Sequence, residues 1–173
     1  MAAFTLRKTD PTDTAQIPAL YAAAFPDEDL LPLVEALLEE KAGVLSLSAI
    51  SGEALVGHVL FTHGTLEGAL ETVALLGPLA VNPEHQRHGI GKALIAEGLA
   101  CLKDAGVAEV LVLGDPAYYS RSGFHPHARI TPPYPLPEAY AEAWQWLRPD
   151  GDSEPLQGQL VLPGPWMQPG LWG

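Results

Sequence analysis

The chain has 173 residues, enough for one domain with a sizeable core, and its 47% hydrophobic content marks it as globular rather than disordered. Nine Lys and Arg against 21 Asp and Glu leave a formal charge of −12, which excludes the basic face that a nucleic-acid backbone requires. The acidic balance favours solubility and also suits a cationic substrate such as an amine.

Cys101 is the single cysteine, so neither an intrachain disulfide nor a thiolate metal cluster is expected. No apolar run approaches the roughly 18–20 residues of a membrane span, and Met1 to Arg7 lacks a signal-peptide pattern, so a cytoplasmic protein without membrane partners is expected.

Phe4 to Arg7 alternates as a short first strand. Asp10 and Pro11 supply N-cap and first-turn chemistry for a helix expected through about Ala24, broken by Pro26. A second helix is read from Leu30 to Lys41, with Gly43 as its stop. Asp27, Glu28 and Asp29 favour that helix's N-terminus, or line a substrate entrance. Val44–Ile50 and Ala54–Thr62 read as a hairpin around Ser51-Gly52-Glu53. Thr72 to Asn82 is the next strand, with Gly77-Pro78 inside it as the mark of a bulge or splayed edge.

Ile90 to Asp104 is an amphipathic helix. Leu94, Ile95, Leu99, Cys101 and Leu102 share its apolar side, where Cys101 is expected to be buried and Gly91 and Gly98 to permit close packing on a sheet. Glu109 to Leu113 returns as a parallel strand after this crossover. Asp115 to Arg121 reads as a short helix with Pro116 at N1 and Gly123 past its end, and Phe124 starts another strand. Thr131 to Pro137 is too rich in proline for regular structure. Glu138 to Leu147 is read as one helix, Arg148 to Pro155 as an acidic loop and Gln159 to Leu162 as the last strand. The tail Pro163–Gly173 is expected to be ordered by Trp166 and Trp172.

The most informative segment runs from Leu76 to Leu94. A strand ends at Asn82-Pro83, and Gly89 and Gly91 open a helix, so several backbone N–H groups without partners point at one place. Such a place attracts phosphate or pyrophosphate, and glycine lets the backbone approach the anion. Arg87, His88 and Lys92 add charge or hydrogen bonds. The spacing fits neither the triphosphatase loop nor the dinucleotide fingerprint.

Gln86 to Gly91 does read Gln-x-x-Gly-x-Gly, and here the segment resembles the acyl-coenzyme-A loop of the GCN5-related N-acetyltransferase (GNAT) superfamily. Leu79 to Glu84 is similar to that family's lead-in strand. Tyr119-Ser120-Arg121-Ser122-Gly123-Phe124 resembles its second element, Tyr-x-x-x-Gly-Phe, and Gly114 to Tyr119 resembles a branch of predicted bacterial N-acetyltransferases.

The resemblance covers about Leu76 to Phe124 and implies an α/β (α+β) fold over residues 1–173. It implies a mixed, mostly antiparallel sheet with one splayed parallel pair at its centre and helices on both faces. The segment from about residue 126 is atypical. The implied reaction is acetyl transfer from acetyl-CoA to a primary amine by direct attack, the acceptor being a small molecule or a peptide. The backbone of Leu79, Ala80 and Val81 is expected to hold the pantetheine arm. Gln86, Arg87, His88, Gly89, Ile90, Gly91 and Lys92 are expected to hold the pyrophosphate. A homodimer also accords with the family.

Tyr119 is the expected general acid, since a phenol protonated at neutral pH can donate to a leaving thiolate. Adjacent Tyr118 is the alternative, because one residue turns a helical position by 100°. Many relatives place a glutamate on the strand corresponding to Thr72–Val81, and this strand has no carboxylate. Glu71, acting through water, is the candidate base, with Glu67 and His63 beside it. His85, His88, His125 and His127 lack metal-ligand spacing, so no metal is expected. Trp144 and Trp146 line a pocket or anchor the core. Two other readings stay open: a non-catalytic acyl-CoA-binding module on the same fold, and an interaction protein working through its Trp/Pro-rich tail.

Overall fold

The computed structural model describes residues 3–40 and 42–173. Met1, Ala2 and Lys41, the expected end of the second helix, lie outside the described residues. The strands are β1 (Thr5–Lys8), β2 (Val44–Ser51), β3 (Ala54–Leu66), β4 (Thr72–Val81), β5 (Glu109–Leu113), β6 (Ile130–Thr131), β7 (Trp144–Leu147) and β8 (Gly158–Val161). The helices are α1 (Pro11–Thr14), α2 (Ile17–Ala24), α3 (Leu31–Leu38), α4 (Ile90–Asp104) and α5 (Pro116–Tyr119).

The strand order is β1-β2-β3-β4-β5-β7, with β8 on β3 and β6 on β8. Pairs β1–β2, β3–β8 and β5–β7 are antiparallel, whereas β4–β5 is parallel, as expected. A second, two-residue parallel pairing of β6 with β8 adds to it. Among the described residues no helix is long and apolar enough to cross a membrane.

The chain forms two compact units, one of Met1–Phe61 with Gly77–Gly98, the other of Thr62–Leu76 with Leu99–Gly173. Strands β3 and β4 and helix α4 each run from one unit into the other.

In the first unit, Leu20 and Tyr21 of α2, Val34 and Leu37 of α3, Val59 and Phe61 of β3, and Leu94 and Ile95 of α4 are buried. Glycine sets the approach of α4 to β3. A Cβ at Gly57 would stand 2.7 Å from Ile90 Cγ2, and one at Gly98 would overlap the Phe61 ring. Buried His58 is bonded through both ring nitrogens, Nδ1 to the Tyr21 hydroxyl and Nε2 to Ser46 Oγ, each at 2.8 Å. Burial pushes its pKa down to about 4.

The helix expected from Asp10 to Ala24 is two helices. Asp10 caps α1 with a reciprocal capping box through Asp13. The chain then breaks at Ala15-Gln16, where the Gln16 side chain donates to Glu53 O and accepts from Leu55 N, and Pro18 falls in the first turn of α2. The second expected helix is shorter, Leu31–Leu38, and Gly43 (φ +79°) turns the chain beyond it rather than capping it. Cys101 is half-buried, not buried, because it sits at the margin of the α4 apolar stripe.

In the second unit, Val73–Leu76 of β4 pair with Glu109–Val112 of β5 and Trp144–Leu147 of β7 pair with Leu113–Val110. Glu138 to Leu147 is therefore not a helix. A 3-10 turn at Glu138–Tyr140 leads into β7, whose Trp144, Gln145 and Trp146 are all buried and so show no amphipathic period. Nor does Phe124 begin a strand, since only His125 forms a bridge, to Trp146.

The tail is ordered as expected. The Trp172 ring meets those of Trp144 and Trp166, and its Nε1 donates to Trp166 O at 3.0 Å. Trp166 Nε1 donates to Thr62 Oγ1 at 3.0 Å. Trp172→Ala should cost about 3–5 kcal/mol in a chemical-denaturation measurement, since this indole is 1% exposed.

Glu109, at the start of β5, is buried, with Oε1 accepting from Leu156 N at 2.8 Å and Oε2 without a partner among the described residues. Burial raises its pKa from 4.5 to about 7, opposed by the Leu156 N–H and by Arg148. A raised carboxyl pKa favours the folded state below pH 4.5, and that contribution disappears as pH rises through 7. The wild type should lose on the order of 2 kcal/mol of stability between about pH 5 and pH 8, and Glu109→Gln should flatten this slope. Urea titrations across that pH range measure it.

Candidate active site

The loop after β4 is built from local hydrogen bonds. Asn82 N donates to Val56 O at 2.9 Å and holds the strand's end to β3. Asn82 Oδ1 accepts from Glu84 N and caps the 3-10 turn Pro83–His85. Gln86 Nε2 reaches back to Val81 O at 3.3 Å. The chain then passes through two left-handed positions, Arg87 at φ +67° and Gly89 at φ +79°.

For arginine that conformation is uncommon and costs about 1–2 kcal/mol. Successive amides near such positions form concavities that bind anions. Helix α4 follows at once, its first intrahelical bond running from Ala93 N to Gly89 O at 2.9 Å. The earlier N–H groups of the helix have no acceptor inside it. Ile90 is buried and anchors the helix start, while Arg87, His88, Gly89 and Lys92 are exposed. His85 Nδ1, just ahead of the loop, is buried without a partner among the described residues.

Upstream of the loop, Ala80 is buried and Leu79 and Val81 are half-buried. The parallel ladder with β5 ends at Leu76↔Val112, immediately before Gly77 (φ +137°) and Pro78, which carries no N–H. Gly77-Pro78, where a bulge or splayed edge is expected, thus lies just past the last paired residues of that ladder.

The second element follows β5. Asp115 Oδ1 accepts from Ala117 N and caps the single turn α5, which tightens into the 3-10 turn Ser120–Ser122 and closes at Gly123 (φ +99°). The Tyr119 ring lies over Gly114, where any Cβ would overlap it, and meets the edges of Tyr118 and Phe124 at 5.0 and 5.9 Å. Tyr119 is half-buried, whereas Tyr118 is 38% exposed. Burial raises the Tyr119 pKa, with Tyr118 and Asp115 adding to the effect, so the phenol is protonated throughout the neutral range.

These two elements invite comparison with known proteins. The family model described as Acetyltransferase (GNAT) family matches residues 11–124. The chain belongs to the GNAT acetyltransferase family. It is 38% identical over 170 residues to the uncharacterized N-acetyltransferase YjhQ of Escherichia coli K12, covering 94% of this chain and 93% of that protein. The crystal structure of the GNAT family N-acetyltransferase YhbS from Escherichia coli in complex with CoA superposes with a TM-score of 0.85 at 28% identity. That match covers 97% of this chain and 94% of the other. A GNAT family acetyltransferase from Brucella melitensis in complex with acetyl-CoA gives 0.74 at 33% identity, covering 95% and 99%.

Against this GNAT frame, Gln86 to Lys92 cluster in one loop and helix start, as the spacing implies. Tyr119 stands on the turn after β5. Glu71 is exposed and precedes the N-terminal end of β4, whereas the loop follows its C-terminal end. Glu67 is exposed too. His63 is half-buried, and burial lowers its pKa. The buried Nδ1 of His85 had no sequence signal beyond its place in the loop.

Gly89 has open space where a Cβ would project, so Gly89→Ala introduces backbone strain without a clash. It should cost about 1 kcal/mol in urea denaturation.

Proposed function

We propose that this GNAT protein transfers an acetyl group from acetyl-CoA to a primary amine within a single functional domain spanning residues 1–173. The observation that carries the reading is the anion-binding geometry at Arg87–Lys92: two left-handed backbone positions followed by a helix N-terminus. The thioester supplies an activated acyl group, so the chain's task is to bind, orient and move protons.

In this reading the N–H groups from Arg87 to Lys92, with Gln86 beside them, hold the pyrophosphate. The backbone of Leu79, Ala80 and Val81 holds the amides of the pantetheine arm, which suits a strand whose ladder to β5 has already ended. The Tyr119 hydroxyl, protonated at neutral pH, donates its proton to the departing thiolate sulfur. Tyr119 is preferred to Tyr118 because its ring is clamped by Gly114 and Phe124. The amine nitrogen attacks the thioester carbonyl and gives its proton to water, from which the Tyr119 phenolate regains its own; Glu71, exposed at the opposite end of β4 from the loop, is not placed to receive it directly. The net charge of −12 accords with a cationic acceptor, either a small molecule or a peptide.

Calorimetric titration with acetyl-CoA tests this reading. The wild type should bind in the micromolar range, and a folded Gly89→Glu variant should bind at least about 50-fold more weakly, because a carboxylate then meets the pyrophosphate. Tyr119→Phe should keep that affinity and lose about 10²-fold in kcat with an accepted amine, read as thiol release. Absence of binding to the wild type overturns the reading. Binding without turnover on a broad amine panel supports the non-catalytic module, which the absence of a carboxylate from β4 favours.

A further inference from the structure

We propose that Gln145 is a positioning residue for Tyr119, acting through the carbonyl of Gly114. Gln145 lies in β7 between Trp144 and Trp146 and is opposite Val112 of β5, with its side chain fully buried. Its Nε2 donates to Gly114 O at 3.0 Å and to Ala143 O at 3.4 Å, while Gly114 N donates to the same Ala143 O at 3.0 Å. The amide orientation follows from these partners, since the reverse would set an oxygen against two carbonyls.

Gly114 needs such a hold. The Tyr119 ring occupies the space of a Cβ there, so only glycine is accommodated. Glycine is also the residue with the most backbone freedom. The residue that makes room for the phenol therefore leaves its own support soft. The Gln145 hydrogen bond fixes the direction of the Gly114 carbonyl, and with it the surface on which the ring rests.

The cost of this arrangement is visible. Gln145 Oε1 is buried without a partner among the described residues, and a buried unpaired amide oxygen opposes folding. A methionine of similar length would avoid that penalty but would lack the donor. The amide thus sacrifices stability and secures the turn that carries Tyr119.

This inference rests on the acid role of Tyr119, so its test includes a readout independent of turnover. Protein labelled with 13C at tyrosine Cζ gives a Tyr119 resonance, assigned by its loss in Tyr119→Phe. Gln145→Met should shift or split that resonance, hold Tm at or above the wild-type value, leave acetyl-CoA affinity unchanged and lower kcat at least about tenfold with an accepted amine. Gln145→Glu supplies a control that does not depend on tolerance of methionine. A pH titration of this variant should return the resonance toward its wild-type position on acidification, as the buried carboxyl is protonated and again offers a donor to Gly114 O, and move it away as the carboxyl ionises.

An unchanged Tyr119 resonance in both variants overturns the proposal. So does a loss of kcat that merely tracks a fall in Tm. Wild-type turnover in Tyr119→Phe, with the Gln145-dependent resonance shift still present, would count against the acid role and leave the positioning link standing.

Discussion

The end of the β4–β5 ladder is the constraint around which this molecule is arranged. Parallel pairing runs from Val73↔Glu109 to Leu76↔Val112 and stops before Gly77 and Pro78. Proline has no N–H to offer a neighbouring strand, and Gly77 takes a φ of +137° that other residues rarely adopt. The division between the two compact units crosses β4 at this same bond, Leu76–Gly77. Beyond it the strand continues to Val81, where Asn82 ties it to Val56 and turns the chain into the loop and helix α4. The ladder to β5 thus ends before the strand does, and Gly77 to Val81 continue beyond its last pair.

Each unit then builds its chemical element by local means. In the first, a 3-10 turn capped by Asn82, two left-handed residues and a buried Ile90 hold the amides of the α4 N-terminus in place. In the second, the Asp115 cap, the single turn of α5 and Gly123 hold Tyr119 against Gly114. Both arrangements accept conformational cost. Arg87 sits in the left-handed region, and Gln145 Oε1 is buried without a partner among the described residues. Departures from local rules of this kind are expected where structure is held for binding or chemistry.

The legible and illegible parts of the chain differ for physical reasons. The loop and the Tyr119 turn could be read because their signals are local: glycine at positive φ, an Asx cap, proline in the first turn and fixed spacing. Helix α4 matched residue for residue because its period of 3.6 is set by one buried face. The stretch from Glu138 to Leu147 misled because Trp144, Gln145 and Trp146 are buried on both faces of a strand. Such a segment has no period, and its apolar and helix-forming residues resemble a helix until β5 is present to pair with it. The break at Ala15-Gln16 was likewise invisible, since it depends on Gln16 reaching Glu53 and Leu55 across the chain.

By itself the sequence determined the glycine-bearing loop before α4, the tyrosine turn, the run of elements from β4 to α5 and the family to which they belong. These features are encoded within short spans by backbone conformations that few residues tolerate. Only the tertiary structure decided that the phenol of Tyr119 is clamped over Gly114 while Tyr118 is exposed. It alone showed that Gln145 bonds to the Gly114 carbonyl from another strand, and that Glu109 is buried beneath Leu156 and Arg148. The last two outcomes join residues about thirty to fifty positions apart in the chain. Desolvation and long-range hydrogen bonding exist only once the strands have paired, so no local pattern carries them.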